Sequence, residues 1–531
     1  MPPDHSASPH AVSRRDLLHA SAAGALIAAD IAVTPRRASA ATQSTSATPI
    51  PQSADAEYRR LDGVIREAMA RHDVPGVAVG ILHDGQEYTA GYGITNLNAP
   101  YPVDASTLFQ TGSITKTYTA TAVMLLVEQG KIELTAPVRR YLPDLVLADE
   151  AVAEQVTVHQ LLNHTGGWFG DYYGPPPTEL EPAVWPWRGD DAIARYVANM
   201  RYLPQLAPLG AMFGYNNAAV VLAGHLVEVI TGMTYEAALT ELLLRPLGMT
   251  NSYLFPEEAI SFPVSAGHTK GSDNRPVVNP LWALPRAVHP TGGLLLPITE
   301  QLKYARFHLG DGRTPDGTRL LSPERLAEMQ TPSGPGAPVA VTANAEVIGA
   351  GVGWALEEID GVRIVTHNGG TTGQMAVLAL VPERQFAVGL FTNAVPGGGN
   401  LHYEVATWAL SEFAGLRTPL PPTEAVPTEK LAEYVGRYGV EVDVPGGGGG
   451  AQLLEVAVDG GGLSVTSYAG DTLGDPKTMQ QQGPPARLEF FGDDAALVTT
   501  DEHTVMGAGF VRDADGAIGW MQWSARVVPR L

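Results

Sequence analysis

The stretch that decides the fold is SITKTYTATAVMLLVEQGK, residues 113–131 of a 531-residue chain. Between Ile114 and Glu128 it is rich in alanine, valine, methionine and leucine. A helix that is apolar on most sides is a buried helix. The residues Gln129-Gly130-Lys131 then supply a glycine stop with a cation beside it. The sequence therefore predicts a buried helix that opens on Ser113.

The first four residues of this helix form the pattern S-x-x-K, with Ser113 followed by Lys116. Residues three apart share one face of a helix, so the serine hydroxyl and the lysine amine can point into one site. A serine hydroxyl is a poor nucleophile without an adjacent base. A lysine becomes such a base when burial and neighbouring positive charge lower its pKa. Taken alone, the four residues are also compatible with a serine N-cap and a solvated first-turn lysine.

A second polar cluster, Tyr215-Asn216-Asn217, stands just before an apolar helical run from Ala218 to Ile230 that Gly232 closes. A tyrosine at a helix entrance can relay protons, and an asparagine can bind a substrate amide. The alternative is turn chemistry, because asparagine is a good N-cap and tyrosine often packs at a helix end.

A third cluster, His367-Asn368-Gly369-Gly370-Thr371-Thr372-Gly373, follows an alternating strand at residues 362–366. Glycines at a strand edge let a substrate approach the backbone closely. A backbone N–H in this cluster, paired with the N–H of Ser113, would form an oxyanion hole. The alternative is a glycine-rich hairpin that carries a surface histidine.

The chain upstream of the helix predicts a β-hairpin. Gly76 to Leu82 is a buried strand, Asp84-Gly85 is a turn, and Glu87 to Gly93 is the return strand. A hairpin followed by a loop and a buried helix predicts a sheet packed on a helix.

The order S-x-x-K, Y-x-N, H-x-G resembles the serine beta-lactamase-like superfamily, in the branch that holds class C beta-lactamases, D-alanyl-D-alanine carboxypeptidases, D-aminopeptidases and related esterases. Three further stretches are similar to motifs of that branch: TVHQLLNHTGG at 157–167, RPLGM at 245–249 and PTGGL at 290–294. The resemblance spans about residues 57–416. It implies an α+β fold, in which an antiparallel sheet is flanked by helices and accompanied by an all-helical region.

The resemblance also implies roles for the matching residues. The catalytic residues would be Ser113 as the acylated nucleophile, Lys116 as its partner base or electrostatic support, and Tyr215 as a second proton carrier. The substrate and oxyanion residues would be Asn217, His367, Gly369 and Gly370. Among these, Asn217 would orient the substrate and Lys116. The N–H groups of Ser113 and Gly370 would form the oxyanion hole.

One departure from the family pattern bears on the substrate. His367-Asn368-Gly369 stands where beta-lactamases and transpeptidases have Lys-Thr-Gly, whose lysine and threonine help to hold the substrate carboxylate. A neutral histidine and an asparagine would hold it less well. We therefore expect an esterase, a peptidase for D-residues or an amidase that works through an acyl-enzyme. The alternatives are a beta-lactamase or D-Ala-D-Ala carboxypeptidase proper, or a non-catalytic binding protein on the same scaffold.

Composition narrows the other possibilities. The chain has no cysteine, and its 14 histidines form no H-E-x-x-H motif, so we expect neither a metal nor a cofactor. No G-x-S-x-G elbow is present. The net charge of -22 argues against nucleic acid, whose binders need a basic face. The expected partner is a small-molecule ester, amide or peptide substrate.

The N-terminus predicts export. Ser13-Arg14-Arg15-Asp16-Leu17-Leu18 resembles a twin-arginine signal, an apolar stretch follows at 20–33, and Ala38-Ser39-Ala40 is an A-x-A-type cleavage site. We expect residues 1–40 to be a signal peptide, with no integral membrane segment after its removal. A disordered leader is the alternative.

The remaining boundaries follow from composition and from the resemblance. Residues 41–56 are a flexible leader, 57–416 the hydrolase domain and 417–429 a proline-rich linker. Residues 430–531 hold short strand-like runs that predict a small all-β barrel or sandwich. LAEYVGRY at 431–438 resembles the start of the lipocalin-like domain that often trails this family. That domain could bind a ligand, cover the active site or only pack on the main domain.

Residues 168–188 form an aromatic-rich segment directly after the H-T-G-G stretch. Such a segment could wall an apolar acyl pocket, and it would then favour an aromatic or aliphatic acyl group. It could equally be a small core beneath a long loop. Its aromatic residues are Trp168, Phe169, Tyr172, Tyr173, Trp185 and Trp187.

Overall fold

The computed structural model describes residues 55–175, 187–337, 345–417, 423, 426–499 and 506–531. The predicted signal peptide, nearly all of the predicted leader, Trp185 and most of the predicted linker lie outside these residues. The α-helices of the described residues are α1 (Asp55–Arg71), α2 (Thr115–Glu128), α3 (Glu150–Gln155), α4 (Val158–Leu162), α5 (Ala192–Asn199), α6 (Asn217–Thr231), α7 (Tyr235–Leu239), α8 (Pro256–Ala259), α9 (His289–Gly292), α10 (Ile298–Leu309), α11 (Pro323–Met329), α12 (Gly397–Phe413) and α13 (Thr428–Tyr434).

The strands fall into a large first sheet, a C-terminal sheet and short pairs. Those before residue 400 are β1 (Gly76–His83), β2 (Gln86–Gly93), β3 (Phe109–Gln110), β4 (His268–Lys270), β5 (Pro276–Val278), β6 (Leu295–Leu296), β7 (Glu346–Ala350), β8 (Ala355–Ile359), β9 (Val362–Gly370), β10 (Met375–Val381), β11 (Phe386–Thr392) and β12 (Ala394–Val395). Those after it are β13 (Gly436–Val442), β14 (Gly450–Asp459), β15 (Gly462–Gly470), β16 (Gln480–Gln481), β17 (Ala486–Gly492), β18 (Ala495–Thr499), β19 (Met506–Arg512), β20 (Ile518–Trp523) and β21 (Arg526–Pro529).

The first sheet has seven strands in the order β2-β1-β11-β10-β9-β8-β7, and every neighbouring pair is antiparallel. The predicted hairpin forms its first two strands, and Asp84 and Gly85 adopt the positive φ values of 49° and 75° that a tight two-residue turn needs. One face of the sheet packs on α1 and α12, and the other face packs on the helical region. Burial on both faces explains why β1 is apolar almost throughout.

The helical region is built around α2 and α6, which pack against each other. Residues 115–127 of α2 are all buried, and α6 ends at Gly232 in the left-handed conformation with φ 70°. Both helices match the runs predicted from sequence. Ser113 differs from the N-cap alternative, because it lies within a 3₁₀ turn, Gly112–Ile114, that leads into α2.

The C-terminal sheet runs β13-β14-β15-β17-β18-β19-β20-β21, with antiparallel pairing between neighbours. Its ends meet through a bridge between Tyr438 and Arg530 and through the Leu531 N–H, which donates to the Arg437 carbonyl at 2.8 Å. The sheet is therefore a nearly closed barrel. The predicted fold class, α+β with an all-β barrel-like C-terminal part, is confirmed. Its lipocalin-like character stays a prediction.

The barrel shares a buried interface with the helical region. Val527 packs with Ala207 and Met212, while the Trp520 indole donates to the Leu206 carbonyl at 2.8 Å. The Gln522 amide donates to the Phe213 carbonyl at 2.6 Å. These contacts bring the turn between β20 and β21 to the segment just before α6, where the predicted Y-x-N cluster lies.

None of the helices of the described residues is by itself long and apolar enough to cross a bilayer. The segments Asn217–Thr231 and Tyr235–Leu244 satisfy length and composition only when they are counted together across a bend of 78°.

Candidate active site

The S-x-x-K residues meet at the start of α2. Lys116 Nζ lies 2.9 Å from Ser113 Oγ and donates a hydrogen bond to the Thr291 carbonyl at 2.8 Å. Only 1% of Lys116 is exposed. Burial, followed by the positive charge of Arg526, holds the pKa of Lys116 well below its ordinary value, against a smaller opposing effect of Asp171. An amine that loses its proton has a lone pair to offer the serine hydroxyl.

Tyr215 lies beside this pair. Its ring centroid lies 5.0 Å from Lys116 Nζ, and Ser113 is among the groups that act on the pKa of its phenol. Burial raises the pKa of Tyr215 to about 12, although Ser113 and Arg526 act to lower it. The phenol is therefore protonated near neutral pH. Both predicted proton carriers, Lys116 and Tyr215, therefore lie around Ser113.

Asn217, at the first turn of α6, is directed towards two residues of the 168–188 segment. Its Nδ2 donates to Asp171 Oδ1 at 2.8 Å and to the Tyr173 hydroxyl at 3.0 Å. The preceding Asn216 is the N-cap of α6 and accepts from the Ala219 N–H. The structure therefore separates the capping residue from the residue that faces the site. The predicted role of Asn217 in orienting substrate and Lys116 stays a prediction.

His367 lies in β9, where it pairs with Leu378, and its ring is 6.2 Å from the Tyr215 ring. Its Nδ1 is 2.5 Å from the Asn368 carbonyl, which can only accept a hydrogen bond. In the neutral ring Nδ1 therefore carries the proton and Nε2 carries the lone pair. Burial and the nearby Lys116 lower the pKa of His367 to about 4. The histidine in the family's lysine position is therefore neutral near pH 7.

A second histidine, His164, comes from the N-H-T-G-G part of the 157–167 motif. Its Nδ1 accepts the Asn216 N–H at 3.1 Å, and its ring centroid lies 4.5 Å from that of Tyr215. Burial, with smaller effects of Lys116 and His367, lowers its pKa well below the usual range. Because its Nδ1 accepts this backbone N–H, His164 is a neutral ring. It holds the backbone next to Tyr215 in place.

The two segments predicted to form the oxyanion hole, the turn that carries Ser113 and the end of β9, are in close backbone contact. A Cβ on Gly369 would lie 1.9 Å from the Thr111 carbonyl and 3.0 Å from the Ser113 nitrogen. A Cβ on Gly112 would lie 2.6 Å from the Gly370 nitrogen. Glycine at these positions is what allows the serine turn to contact the end of β9. Their part in stabilising an oxyanion stays a prediction.

Gly112→Ala is expected to lower kcat about 10²- to 10³-fold, because the new Cβ forces the end of β9 away from the Ser113 turn and disrupts the paired N–H groups. Gly130→Ala is the matched control. Gly130 closes the other end of α2 with a similar φ, 69° against 52°, but a Cβ there meets nothing within 4 Å. Both variants carry the left-handed backbone cost, so steady-state rates compared at equal folded fraction isolate the contact. Equal kcat in the two variants would contradict the prediction.

Most of the described aromatic side chains of the 168–188 segment pack in the core. Trp168 is 4% exposed and Tyr172 is fully buried. Tyr172 makes an edge contact with Trp187 and a tilted contact with Tyr196. Phe169 and Trp187 pack against the same core. Tyr173 differs, because it is 43% exposed and its hydroxyl contacts Asn217. For the described rings the small-core interpretation therefore fits best, and Tyr173 alone among them contacts the predicted site residues.

An ion-pair cluster fixes the residue that receives the Lys116 hydrogen bond. Glu236 accepts from His289 Nδ1 at 2.8 Å and from Arg286 at 2.9 and 3.0 Å. Burial alone would raise the pKa of Glu236, but the hydrogen bonds from His289 and Arg286 lower it to about 2. His289 begins α9, which carries Thr291. The cluster therefore stabilises the short helix beneath Lys116.

Two residues of the site escaped the sequence analysis. Asp171 and Arg526 form an ion pair, with Arg526 Nε 2.9 Å from Asp171 Oδ2, and Arg526 lies over the Tyr215 ring at 4.7 Å from its centroid. Asp171 lies in the aromatic-rich segment and belongs to none of the motifs. Arg526 lies in the barrel and in no motif of the hydrolase domain. Among the described residues, no group of three or more His, Cys, Asp or Glu side chains could hold a metal ion.

A serine hydroxyl in contact with a buried lysine, at the start of a core helix beside an antiparallel sheet, is the arrangement expected of a serine hydrolase with an S-x-x-K motif. The Beta-lactamase family profile matches residues 61–410. The chain belongs to this family, and the resemblance stated from its motifs is confirmed.

Individual relatives agree with this assignment. Penicillin-binding protein 4 of Amycolatopsis lactamdurans is 35% identical over 380 residues, which are 70% of this chain and 95% of that protein. Unguisins hydrolase of Aspergillus campestris is 29% identical over 344 residues, 61% of this chain and 59% of that protein. The crystal structure of SurE is similar with a TM-score of 0.67 at 25% identity, and covers 90% of this chain and 99% of that one. The likeness to SurE thus extends beyond the matched hydrolase region.

Proposed function

We propose that the protein is an exported hydrolase that cleaves an ester or amide bond, including the amide bonds of D-amino-acid peptides, through an acyl-enzyme on Ser113. The observation that carries this proposal is the 2.9 Å contact between Ser113 Oγ and the amine of Lys116, whose pKa burial holds well below its ordinary value. A base within hydrogen-bond reach is what a serine nucleophile requires.

In the acylation step, Lys116 takes the proton of Ser113 while Oγ attacks the substrate carbonyl carbon. The N–H groups of Ser113 and Gly370 then stabilise the negative oxygen of the tetrahedral intermediate. When the C–O or C–N bond of the substrate breaks, the leaving group takes a proton from Tyr215, and Lys116 can resupply it. The acyl group remains esterified to Ser113.

In the deacylation step, a water molecule gives a proton to Tyr215 or Lys116 as its oxygen attacks the acyl carbon. Collapse of the second intermediate returns a proton to Ser113 Oγ and releases the acid product.

The neutral His367 bears on the substrate class. Beta-lactamases hold a substrate carboxylate with a lysine at this position, whereas His367 has a pKa of about 4 and carries no charge near pH 7. The site therefore supports ester and amide hydrolysis better than efficient beta-lactam hydrolysis. Relatives named as beta-lactamase, such as that of Lysobacter lactamgenus at 28% identity, keep the beta-lactamase alternative as an outcome of the test.

The proposal predicts that the full-length protein, mixed with a p-nitrophenyl ester, a D-alanine p-nitroanilide or a chromogenic cephalosporin and quenched in acid, carries one acyl group on Ser113. Peptide mass mapping of the quenched protein locates the group, and stopped-flow absorbance gives the rate at which it forms. The substrate with the fastest turnover identifies the subclass. An acyl group at another residue, or turnover without any acylation of Ser113, would overturn the mechanism.

A further inference from the structure

We propose that Arg526, carried by the last hairpin of the C-terminal barrel, is a positioning residue of the active site that fixes Asp171, Asn217 and Tyr215 and places a permanent positive charge beside Lys116. The inference deepens the proposed function and rests on it, because it takes Lys116 as the base of that reaction. It gives the barrel a part in the reaction, beyond packing on the hydrolase domain.

The first observation is the paired geometry of Arg526 and Asp171. Arg526 Nε lies 2.9 Å from Asp171 Oδ2, and Nη2 lies 3.2 Å from Oδ1, which is the two-pronged arrangement of a guanidinium on a carboxylate. The same Oδ1 accepts from Asn217 Nδ2. The barrel arginine therefore fixes the carboxylate that in turn fixes the site asparagine.

The second observation is the backbone of the hairpin turn. Ser524 and Ala525 link β20 to β21 with φ values of 49° and 64°. Two-residue turns of this kind normally use Asn-Gly, because a side chain in the left-handed region costs about 1–2 kcal/mol. Here the strained turn has a binding partner, since the Ala525 carbonyl accepts the Tyr215 N–H at 2.8 Å. The hairpin thus holds the Tyr215 backbone and covers its ring.

The interface keeps the turn in place. A Cβ on Gly214 would lie 2.8 Å from Val527 Cγ2, so the residue before Tyr215 is in close contact with the strand that carries Arg526. On the other side of the turn, the side-chain amide of Gln522 donates a hydrogen bond to the Phe213 carbonyl. With anchors on both sides, the position of Arg526 is determined by the docked barrel.

The third observation concerns the charges that face Lys116. Ser113 and the Thr291 carbonyl contact its amine directly, while the titratable groups around it are Tyr215, His164, His367, Asp171 and Arg526. Tyr215 and the two histidines are neutral near pH 7. Burial and then Arg526 lower the pKa of Lys116, whereas Asp171 raises it. Within the described part of the chain, Arg526 is the group of this set that disfavours the protonated lysine through its own charge.

The direction of the effect follows from these signs. Removing the Arg526 charge raises the pKa of Lys116, so a smaller fraction of the amine is free to take the serine proton at a given pH. The acidic limb of the kcat/KM profile then moves to higher pH. Removing Asp171 while Arg526 keeps its charge acts in the opposite direction.

The test is a titration of Lys116 by NMR in the full-length protein labelled with [ε-¹³C]lysine. The chain has six lysines, at positions 116, 131, 270, 303, 430 and 477, so the spectrum is small, and Lys116→Met assigns the signal. We expect the Lys116 titration to move to higher pH in Arg526→Gln, to stay near the wild-type position in Arg526→Lys, and to move to lower pH in Asp171→Asn. A general loosening of the site cannot produce shifts of opposite sign.

The kinetic counterpart is the pH profile of kcat/KM. Arg526→Gln is expected to lose about 10- to 100-fold at pH 7 and to shift the acidic limb upward, because both the charge and the positioning are lost. Arg526→Lys should return the acidic limb to its wild-type pH. It should restore only part of the rate, because an ammonium lacks the two-pronged geometry.

Arg530→Gln is the matched control. Arg530 lies in the same barrel over the Tyr438 ring, at 5.9 Å from its centroid, and donates to the carbonyls of Val435 and Glu433. Its loss should leave the Lys116 titration unchanged. An unchanged Lys116 titration in Arg526→Gln, or equal losses in the Gln and Lys variants, would overturn the proposal. The NMR result does not depend on turnover, so a failure of the proposed hydrolysis is recognised separately.

Discussion

Ser113→Ala is expected to lower kcat/KM by about 10⁴- to 10⁶-fold on whichever ester or amide the protein cleaves, because the variant has no nucleophile to acylate. The residual rate should come from substrate binding and from the N–H groups at the Ser113 turn and Gly370, which the substitution leaves in place. Fold and substrate binding should persist, since only one oxygen atom is removed. Initial rates and an inhibition constant for the substrate, measured together, separate lost chemistry from lost binding.

Ser322→Ala is a suitable control for this substitution. Ser322 is also a serine at a helix start, where its hydroxyl accepts the Arg325 N–H as the N-cap of α11, and it donates to Glu128 at the far end of α2. Loss of an N-cap costs about 1 kcal/mol of stability. We expect a lower melting temperature with unchanged kcat/KM. Ser113→Ala protein that retains wild-type turnover would exclude Ser113 as the nucleophile.

Lys116→Met is expected to lower kcat/KM by about 10³- to 10⁴-fold, because the Ser113 hydroxyl loses the base that takes its proton. The melting temperature should stay the same or rise. Folding lowers the pKa of Lys116, so the unfolded chain binds the lysine proton more tightly than the folded protein does. At neutral pH this difference in proton affinity stabilises the unfolded chain relative to the folded protein. Methionine is similar in shape and carries no such cost. Lost activity with unchanged or higher stability is typical of a functional site.

Lys131→Met provides the comparison, because Lys131 is an exposed lysine just beyond the other end of α2. Rates and melting temperatures of the two variants are measured in parallel. If Lys116→Met melted several degrees lower and kept its turnover, Lys116 would be a structural residue, and the base would have to be Tyr215.

The local parts of the site could be predicted from the sequence because they depend on short-range geometry. Ser113 and Lys116 are three residues apart on one helix, so their contact follows from helical periodicity. The apolar runs after Ser113 and after Asn217 set the burial of both helices, and the Asp84-Gly85 turn sets the first hairpin. The His367 strand was placed by its alternating pattern and its glycines. The neutral state of that histidine depends instead on the tertiary structure, because burial and the nearby Lys116 lower its pKa.

Other features depended on how distant segments pack. The aromatic segment after residue 167 gave no sign of whether its rings would line a cleft or fill a core, because both uses need the same residues. The tertiary structure buries Trp168 and Tyr172 and directs Asp171 and Tyr173 to Asn217. Asp171 could not be identified in advance, since a single acidic residue in a loop carries no periodic signal.

The sequence by itself determined the family, the two central helices, the two sheets and the Ser113–Lys116 pair. Periodicity and turn residues act over a few residues at a time, and the order of the motifs along the chain indicated the family. Only the tertiary structure decided that Arg526 reaches Asp171 across 355 positions of the chain. That contact exists because the barrel docks on the segment before α6 and presents a strained turn to Tyr215. Such a contact depends on how the barrel packs against the helical region, and the sequence pattern of neither part predicts it.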